Sequence, residues 1–407
     1  MKHLFNTASE QGNLDVVKIL VGRRECDLNV SDERGNTPLH TACKHGHYST
    51  VEFLVADQRC HLNSKTSDFN TPLHLACSTK ALRIIKLLLE MKCITNILNR
   101  KGETAEEISL NEDGDCLLHI ACQWGDAAIV QYLITDQRCN PNIRNATNKL
   151  PLHIVSKLGN LDVVKVLVSS KECALNIPDD RGNTPLHTAC KHGHHSIVEF
   201  LVADQRCQLN TKNIDFNTPL HLACYKKALR VIKLLLKMKC ITNIPNNKSQ
   251  TAEEIPLNED GDCLLHIALQ WGDADIVKYL VTDQKCDPNI LNKNHLTPLL
   301  ATIKCGKASV ATALLQYAKC DLSLYDQDGN TALHLACIGG QTQPEMVKVA
   351  KELIISAAPL CVNSAGQTPI ELTTNYELTS QNARQNIQYK LTLTCLLLVT
   401  LRLERAL

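Results

Sequence analysis

The chain has 407 residues, of which 44% are hydrophobic and 21% charged, a balance that supports an extensive core and excludes disorder over most of the length. Its formal net charge of +1 gives no long-range field for DNA, RNA or an anionic membrane, so we expect no nucleic-acid partner. No stretch is long and apolar enough to span a bilayer and the N-terminus lacks a secretory core, so we expect an intracellular, cytoplasmic protein.

The motif that organises the chain is GNTPLHTACKHGH at 35–47. Thr37 can cap a helix with its hydroxyl, and Pro38 suits the first helical position. Gly46 can adopt the left-handed conformation that ends a helix. The motif therefore predicts a short helix of about two turns.

A second helix is predicted at 49–56, where Val51, Leu54 and Val55 lie on one face. The two helices should form an antiparallel hairpin. The residues that follow, DQRCHLNSKTSDFN, are rich in turn formers and predict an extended loop.

Copies of the first helix recur along the chain, mostly 34 residues apart. Their aligned starts are Thr37, Thr71, Cys116, Leu150, Thr184, Thr218, Cys263, Thr297 and Thr331. A longer repeat of 147 residues relates Thr37 to Thr184 and Thr71 to Thr218, so a large block is duplicated. Such periods indicate a stacked array of supersecondary units.

The TPLHxAC motif, the following Gly-His, the VxxLV helix and the C-x-L-N step together resemble the ankyrin repeat over roughly residues 3–372. The resemblance implies an all-α fold, an ankyrin-type α-solenoid of helix-turn-helix units with projecting hairpin loops. We expect a degenerate first repeat at 1–36, ankyrin repeats at 37–103, 116–250 and 263–372, and insertions at 104–115 and 251–262. The remainder, 373–407, should be a polar tail and an apolar helix at 391–403, which is too short to cross a membrane.

The two insertions begin as a repeat, with TAEEI, but restart after 12 residues without a second helix. They should bulge from the stack or bend it locally. Their LNEDGD segments contain part of a calcium-loop pattern, but the first acid and the terminal glutamate are missing. A solvated acidic loop, or a docking patch for a basic partner, is the simpler interpretation.

Histidine recurs once per unit in the motif, and its regular spacing argues against convergence on a metal. The resemblance implies that this imidazole bonds locally to the motif threonine and to neighbouring backbone. Cysteines also fall at two repeating positions, where packing as small buried residues explains them without redox chemistry. The closest approach to a metal motif, CKHGH at 43–47, lacks a second ligand pair.

Three other features of the sequence each allow two interpretations. The basic stripe of Lys226, Arg230, Lys233 and Lys237 is a solvated helix face or a site for phosphate or acidic peptide. Phe69 and Phe216 stand where the family has glycine, and Trp124 and Trp271 precede the inter-helix glycine. These aromatic residues either fold back onto the next repeat or anchor an interface.

No nucleophile elbow, phosphate loop, dinucleotide fingerprint or HExxH motif is present, so we expect no enzymatic activity, cofactor or metal. The resemblance implies a monomeric scaffold or adaptor that binds proteins through loop tips and first helices. The candidate contact residues are Asp32, Glu33, Arg34, Lys65, Asp68, Phe69, Asp179, Asp180, Arg181, Lys212, Asp215 and Phe216. The alternative is the recognition arm of a larger signalling enzyme or membrane protein.

Overall fold

The computed structural model describes residues 2–374 except 24, 25, 341, 342, 344 and 357, and the chain divides into two units, Met1–Gln208 and Leu209–Leu407. The predicted apolar helix at 391–403 and almost all of the predicted polar tail lie outside the described residues.

The first unit consists of helix pairs joined by loops. Its helices are α1 (Lys2–Glu10), α2 (Leu14–Val21), α3 (Pro38–Lys44), α4 (Tyr48–Val55), α5 (Pro72–Ser78), α6 (Leu82–Glu90), α7 (Leu117–Trp124), α8 (Ala127–Gln131), α9 (Pro151–Leu158), α10 (Leu161–Ser169), α11 (Pro185–His192) and α12 (His195–Val202). The first helices of successive pairs pack side by side, α1 on α3, α3 on α5, α7 on α9 and α9 on α11.

The second unit follows the same plan. Its helices are α13 (Pro219–Tyr225), α14 (Leu229–Lys237), α15 (Leu264–Trp271), α16 (Ala274–Lys278), α17 (Pro298–Lys304), α18 (Ala308–Tyr317), α19 (Ala332–Gly340), α20 (Met346–Ile355) and α21 (Glu371–Thr374). In the described part of the chain, strand-like pairing is limited to one isolated bridge between Tyr325 and Thr331. The predicted all-α repeat class is confirmed.

The local signals of the motif act as predicted in α3. The Thr37 hydroxyl accepts the backbone N–H of His40, and Pro38 is the first helical residue. Gly46 has a φ of 76°, the left-handed conformation expected after the helix. In α4 the side chains of Val51, Leu54 and Val55 are buried, as their spacing predicted.

The first insertion packs into the array and does not bulge from it. It forms a short 3₁₀ turn, Ala105–Glu107, that contacts α5 and α7, and no second helix follows within 104–115. Ala105 and Leu110 are both buried. The second insertion repeats this arrangement with the turn Ala252–Glu254, buried Ala252 and buried Leu257.

A polar bridge crosses the place where the first insertion lacks its second helix. Here α8 continues into a π-helical turn, Tyr132–Asp136. The Tyr132 hydroxyl donates to the Cys93 carbonyl at 2.9 Å, and the Gln137 side-chain oxygen accepts the Thr95 N–H at 3.0 Å. These bonds connect residues that lie before and after the first insertion, about 40 positions apart. They satisfy backbone groups at the place where a second helix is missing.

The core of each unit is built from leucine, isoleucine, valine, alanine and cysteine side chains. Both cysteine series lie in or beside this core: those of the first helices are buried, and those before the C-x-x-N step are buried or half-buried. Burial raises the pKa of Cys60 to about 12, so its thiol stays protonated at neutral pH.

Among the described residues, no helix is both long and apolar enough to cross a bilayer.

Thiol labelling should reflect this burial. We expect iodoacetamide to modify Cys305 and Cys361, which are exposed, well before Cys43 and Cys77, which are buried, because only an accessible thiolate reacts. Peptide mass spectrometry after a short native pulse measures the order. A pulse in urea is the control, in which all four should react at similar rates. Equal native labelling of Cys43 and Cys305 would contradict the packing role.

Candidate functional site

Five-residue turns form the outer ends of the loops, and we call them the hairpin tips. They are 32–36, 66–70, 99–103, 111–115, 145–149 and 179–183 in the first unit, and 213–217, 246–250, 258–262, 292–296, 326–330 and 363–367 in the second. In each tip the side-chain oxygen of the first residue accepts the backbone N–H of the fifth, at 2.8 to 3.2 Å.

This side-chain bond makes the tips rigid turns. Asp32, for example, accepts the N–H groups of Arg34 and Asn36 at 2.9 and 2.8 Å. Asp32 and Asp179, which the sequence predicted to contact a partner, thus also hold their own turns. The sequence signal for this role is a repeated Asp or Asn, replaced by Thr66 in the second tip, four residues before the residue that precedes each helix cap.

Neighbouring tips are also bonded to each other through their backbones. The Ser67 N–H donates to the Arg34 carbonyl at 2.9 Å, and the Arg100 N–H donates to the Asp68 carbonyl at 2.8 Å. In the second unit the Asn247 N–H donates to the Asp215 carbonyl at 3.0 Å. A tip is therefore held in a fixed position relative to the next one.

Where it is present, the motif histidine connects a first helix to a tip. His40 Nδ1 accepts the Thr37 N–H at 3.2 Å, and its Nε2 bonds the Asn70 carbonyl at the end of the next tip at 3.1 Å. The same pattern recurs at His74, His119, His153, His221, His266 and His334. The prediction of local bonding to threonine and to neighbouring backbone is thus confirmed for His40.

Most of the candidate contact residues are exposed at tips. Glu33 and Arg34 lie beside Ser67 of the next tip, so the candidates of the first two tips are adjacent. Asp180 and Arg181 are exposed on the last tip of the first unit, 179–183, where Asp179 is half-buried. Lys212, Asp215 and Phe216 belong to the second unit and are exposed there.

Phe69 and Phe216 adopt left-handed backbone conformations, with φ of 60° and 58°. Gly35 occupies the equivalent position in its own tip, with a φ of 79°. A residue with a β-carbon pays roughly 1–2 kcal/mol for this conformation relative to glycine. The rings are 48% and 52% exposed, so neither is fully packed onto the next repeat. Asn148, Ser249 and His295 keep the same geometry, with φ of 54°, 57° and 55°.

Each of these phenylalanine rings lies beside a lysine of its own loop. Lys65 Nζ is 5.8 Å from the centre of the Phe69 ring, and Lys212 Nζ is 5.6 Å from the Phe216 ring. A cation at this distance is attracted to the ring face. Each of these two loops therefore presents an aromatic ring with a positive charge over one of its faces.

A groove of about 640 Å³ lies in the first unit between the tips and the first helices. One wall is formed by the tips 111–115, 145–149 and 179–183, and the other by α7, α9 and α11. Asp179, Asp180 and Arg181 line it, so the structure places these three candidates together in one depression. Lys157 and Lys191 also line it, and sequence reasoning missed both.

The charges of the groove differ in how they are used. Asp115 is buried, and its carboxylate accepts the side-chain amides of Asn111, Gln123 and Asn145 at 2.6 to 2.9 Å. The groove also has four cations, Lys149, Lys157, Arg181 and Lys191. None of them takes part in a salt bridge among the residues that the structure describes. The cations are thus available to an external ligand, while Asp115 serves the fold.

The basic stripe is partly occupied by contacts within the chain. Lys233 Nζ lies 3.8 Å from the Asp273 carboxylate and 5.4 Å from the centre of the Trp271 ring. Lys237 Nζ is 4.0 Å from the same carboxylate. Trp271 therefore packs against the preceding helix, and Trp124 does the same under Lys86 in the first unit, at 5.9 Å.

The sequence candidates for metal binding do not converge. In the CKHGH segment Cys43 is buried in the core, whereas His47 Nε2 bonds the Glu10 carbonyl at 2.6 Å. In the described part of the chain, no group of three or more His, Cys, Asp or Glu side chains is placed to hold a metal ion. Asp115 of the first acidic insertion is directed to the three amides above.

Comparisons with known proteins match most of the chain. A family model that describes three successive ankyrin repeats matches the chain in five overlapping segments, at residues 4–101, 61–145, 118–213, 207–290 and 265–363. NF-kappa-B inhibitor alpha of Sus scrofa is 40% identical over 98 residues, covering 22% of this chain and 31% of that protein. Human Ankyrin repeat domain-containing protein 53 is 33% identical over 95 residues, with 23% and 18% covered.

A third relative is human Transient receptor potential cation channel subfamily A member 1. It is 27% identical over 114 residues, which cover 28% of this chain and 10% of the channel. In each of the three relatives the matched segment spans less than a third of the protein's own length.

The buried histidines predict acid sensitivity. Burial lowers the pKa of His40 to about 4, and the pKa values of His119 and His153 are lowered by burial as well. Since an unfolded imidazole titrates near 6.5, the unfolded chain binds more protons between pH 6.5 and 4. The free energy of unfolding should therefore be full above pH 6.5 and fall as pH drops through this window.

Urea unfolding monitored by circular dichroism at pH 7.5 and pH 5 measures this loss. The variant His40→Gln is the matched control: it should be less stable at pH 7.5 and lose less on acidification, because one of the titrating groups is gone. A urea midpoint that is unchanged at pH 5 would contradict the prediction.

Proposed function

The chain belongs to the ankyrin-repeat family, and on that basis we propose that it is a non-catalytic scaffold or adaptor that binds partner proteins through its concave face and hairpin tips. The groove of the first unit is the observation that carries the proposal. Its walls are held by tip and histidine hydrogen bonds, so a partner meets a preformed surface at a low entropic cost. NF-kappa-B inhibitor alpha is, by its name, an inhibitor, which supports a role in holding another protein.

The groove offers a partner both charge and shape. None of its four cations forms a salt bridge with another described residue, and the exposed side chain of Leu158 provides apolar surface among them. A partner that covers such a surface desolvates the cations, so the fit of each charge decides specificity more than total affinity. We extend the proposal to a monomer that acts in the cytoplasm without cofactor or nucleic acid.

A second candidate function is the recognition arm of a larger signalling enzyme or membrane protein. The match to a cation channel, of which the aligned segment is only a tenth, favours this alternative. Sequencing the native transcript separates the two: a reading frame that continues into a catalytic or membrane domain supports the arm, and a stop after Leu407 supports the free adaptor.

Charge reversal in the groove tests the first proposal. The photo-reactive amino acid benzoylphenylalanine at position 147, in the groove wall, should cross-link a partner in cells. The purified partner should then bind the double variant Lys157→Glu/Lys191→Glu at least about tenfold more weakly, a loss of roughly 1.4 kcal/mol, by isothermal titration calorimetry.

The matched control is Lys18→Glu, which reverses an exposed charge on α2 away from the groove. It should leave the affinity unchanged, and both variants should keep the circular dichroism spectrum of the wild type. Equal affinity of the double variant and the wild type for the partner would refute binding through the groove.

A further inference from the structure

We propose that the tips carrying Phe69 and Phe216 are matched anchors for a partner protein. Each ring enters an apolar pocket of the partner, and a carboxylate at the rim of that pocket receives the adjacent ammonium of Lys65 or Lys212. This inference rests on the proposed function and specifies the partner's chemistry at two points.

The first support is backbone strain that packing of the side chain within the chain offsets only in part. Phenylalanine at a φ near 60° is a steric outlier where other tips of this chain have glycine, as at Gly35, Gly182 and Gly329. About half of each ring remains exposed, so packing within the chain recovers only part of the cost. Strain retained at an exposed position, and retained twice, indicates a use outside the fold.

The second support is the local charge pattern. In the described part of the chain, neither Lys65 nor Lys212 takes part in a salt bridge. The neighbouring acids are engaged, since Asp68 lies 3.6 Å from Arg100 and Asp215 accepts the Asn247 amide at 3.4 Å. The Asn247 amide is neutral, so Asp215 keeps its charge, whereas Asp68 is paired with Arg100. Lys65 and Lys212 are the cations of these loops that have no carboxylate at salt-bridge distance among the described residues, so each can receive a carboxylate of the partner.

The third support is rigidity. The Phe69 N–H donates to the Thr66 carbonyl at 2.9 Å, and the Ser67 N–H of the same tip donates to Arg34. A rigid aromatic side chain with two rotatable bonds loses little entropy on binding, which is why such residues dominate interface energetics.

The two tips differ in one respect. Ile214 of the second tip is 63% exposed, whereas the equivalent residue of the first tip is Ser67. The second tip is thus the more apolar of the two, and the pocket that receives Phe216 should be wider and more hydrophobic. If a single partner engages both tips, the linked sites raise its avidity.

Asparagine substitution separates an anchoring role from a structural role. Asn148 adopts the same left-handed conformation in its own tip, so Phe69→Asn and Phe216→Asn remove the ring and keep the turn. We expect the double variant to have a urea midpoint equal to or above that of the wild type. A clear fall in the midpoint would show that the rings stabilise the fold, and would overturn the proposal.

Cross-linking from the tips identifies what the rings meet. Benzoylphenylalanine at position 69 or 216 should capture the same partner in cells, and the cross-linked partner peptides should combine apolar residues with Asp or Glu. The control is position 19, where Ile19 is 64% exposed on α2. Capture that is no more selective from the tips than from position 19, or partner peptides without acidic residues, would overturn the proposal.

Affinity measurements then distinguish the anchors from the groove. The captured partner should bind the double asparagine variant at least about tenfold more weakly, with Lys65→Glu also weaker and Ile19→Gln unchanged. Full affinity for the asparagine variant, together with weak affinity for Lys157→Glu/Lys191→Glu, would reject the anchors and leave the proposed function in place. Full affinity for both would reject both.

Discussion

The hydrogen bond from each motif imidazole to the backbone carbonyl at the end of the following tip is the interaction on which the rest of the structure depends. At His40 this bond spans 30 residues and connects the start of one first helix to the turn that introduces the next. It requires a neutral ring, because Nδ1 accepts the Thr37 N–H while Nε2 donates to Asn70. One bond contributes only about 1 kcal/mol net, but its repetition fixes the spacing of the tips.

The hydrogen bonds of the tips make each turn rigid enough to hold one residue in a strained backbone conformation. The turn is held by its side-chain cap, by its neighbour and by the imidazole, so the left-handed residue has no freedom to relax. Phe69, Asn148 and His295 therefore accept the conformation that glycine takes elsewhere. Side-chain identity at this position can vary with function, because the surrounding hydrogen bonds, and not the residue itself, determine its backbone.

Duplication preserved most of this framework, although Leu300 stands 147 positions after His153, while most of the groove cations changed. The residues 147 positions after Lys149, Arg181 and Lys191 are Leu296, Asp328 and Ile338. By contrast, the buried aspartate keeps all three amide donors in both units, Asp115 in the first and Asp262 in the second. The residues that bind the buried aspartate are thus the same in both units, whereas three of the four groove cations are replaced and the fourth, Lys157, corresponds to Lys304. The two units therefore present different surfaces on the same scaffold.

The sequence by itself determined the repeat unit, because caps, proline, glycine and apolar spacing act within about ten residues of one another. It predicted α3 and α4 closely, the burial of the cysteine series and the local role of histidine. Only the tertiary structure decided which polar residues are buried in the fold and which line a groove. Asp115 and Lys157 are both charged in the sequence, yet the first is buried among amides donated from three separate positions and the second lines a groove. Asn111 and Gln123 lie four and eight positions from Asp115, but Asn145 is 30 positions away, and the local pattern carries no information about a contact at that distance.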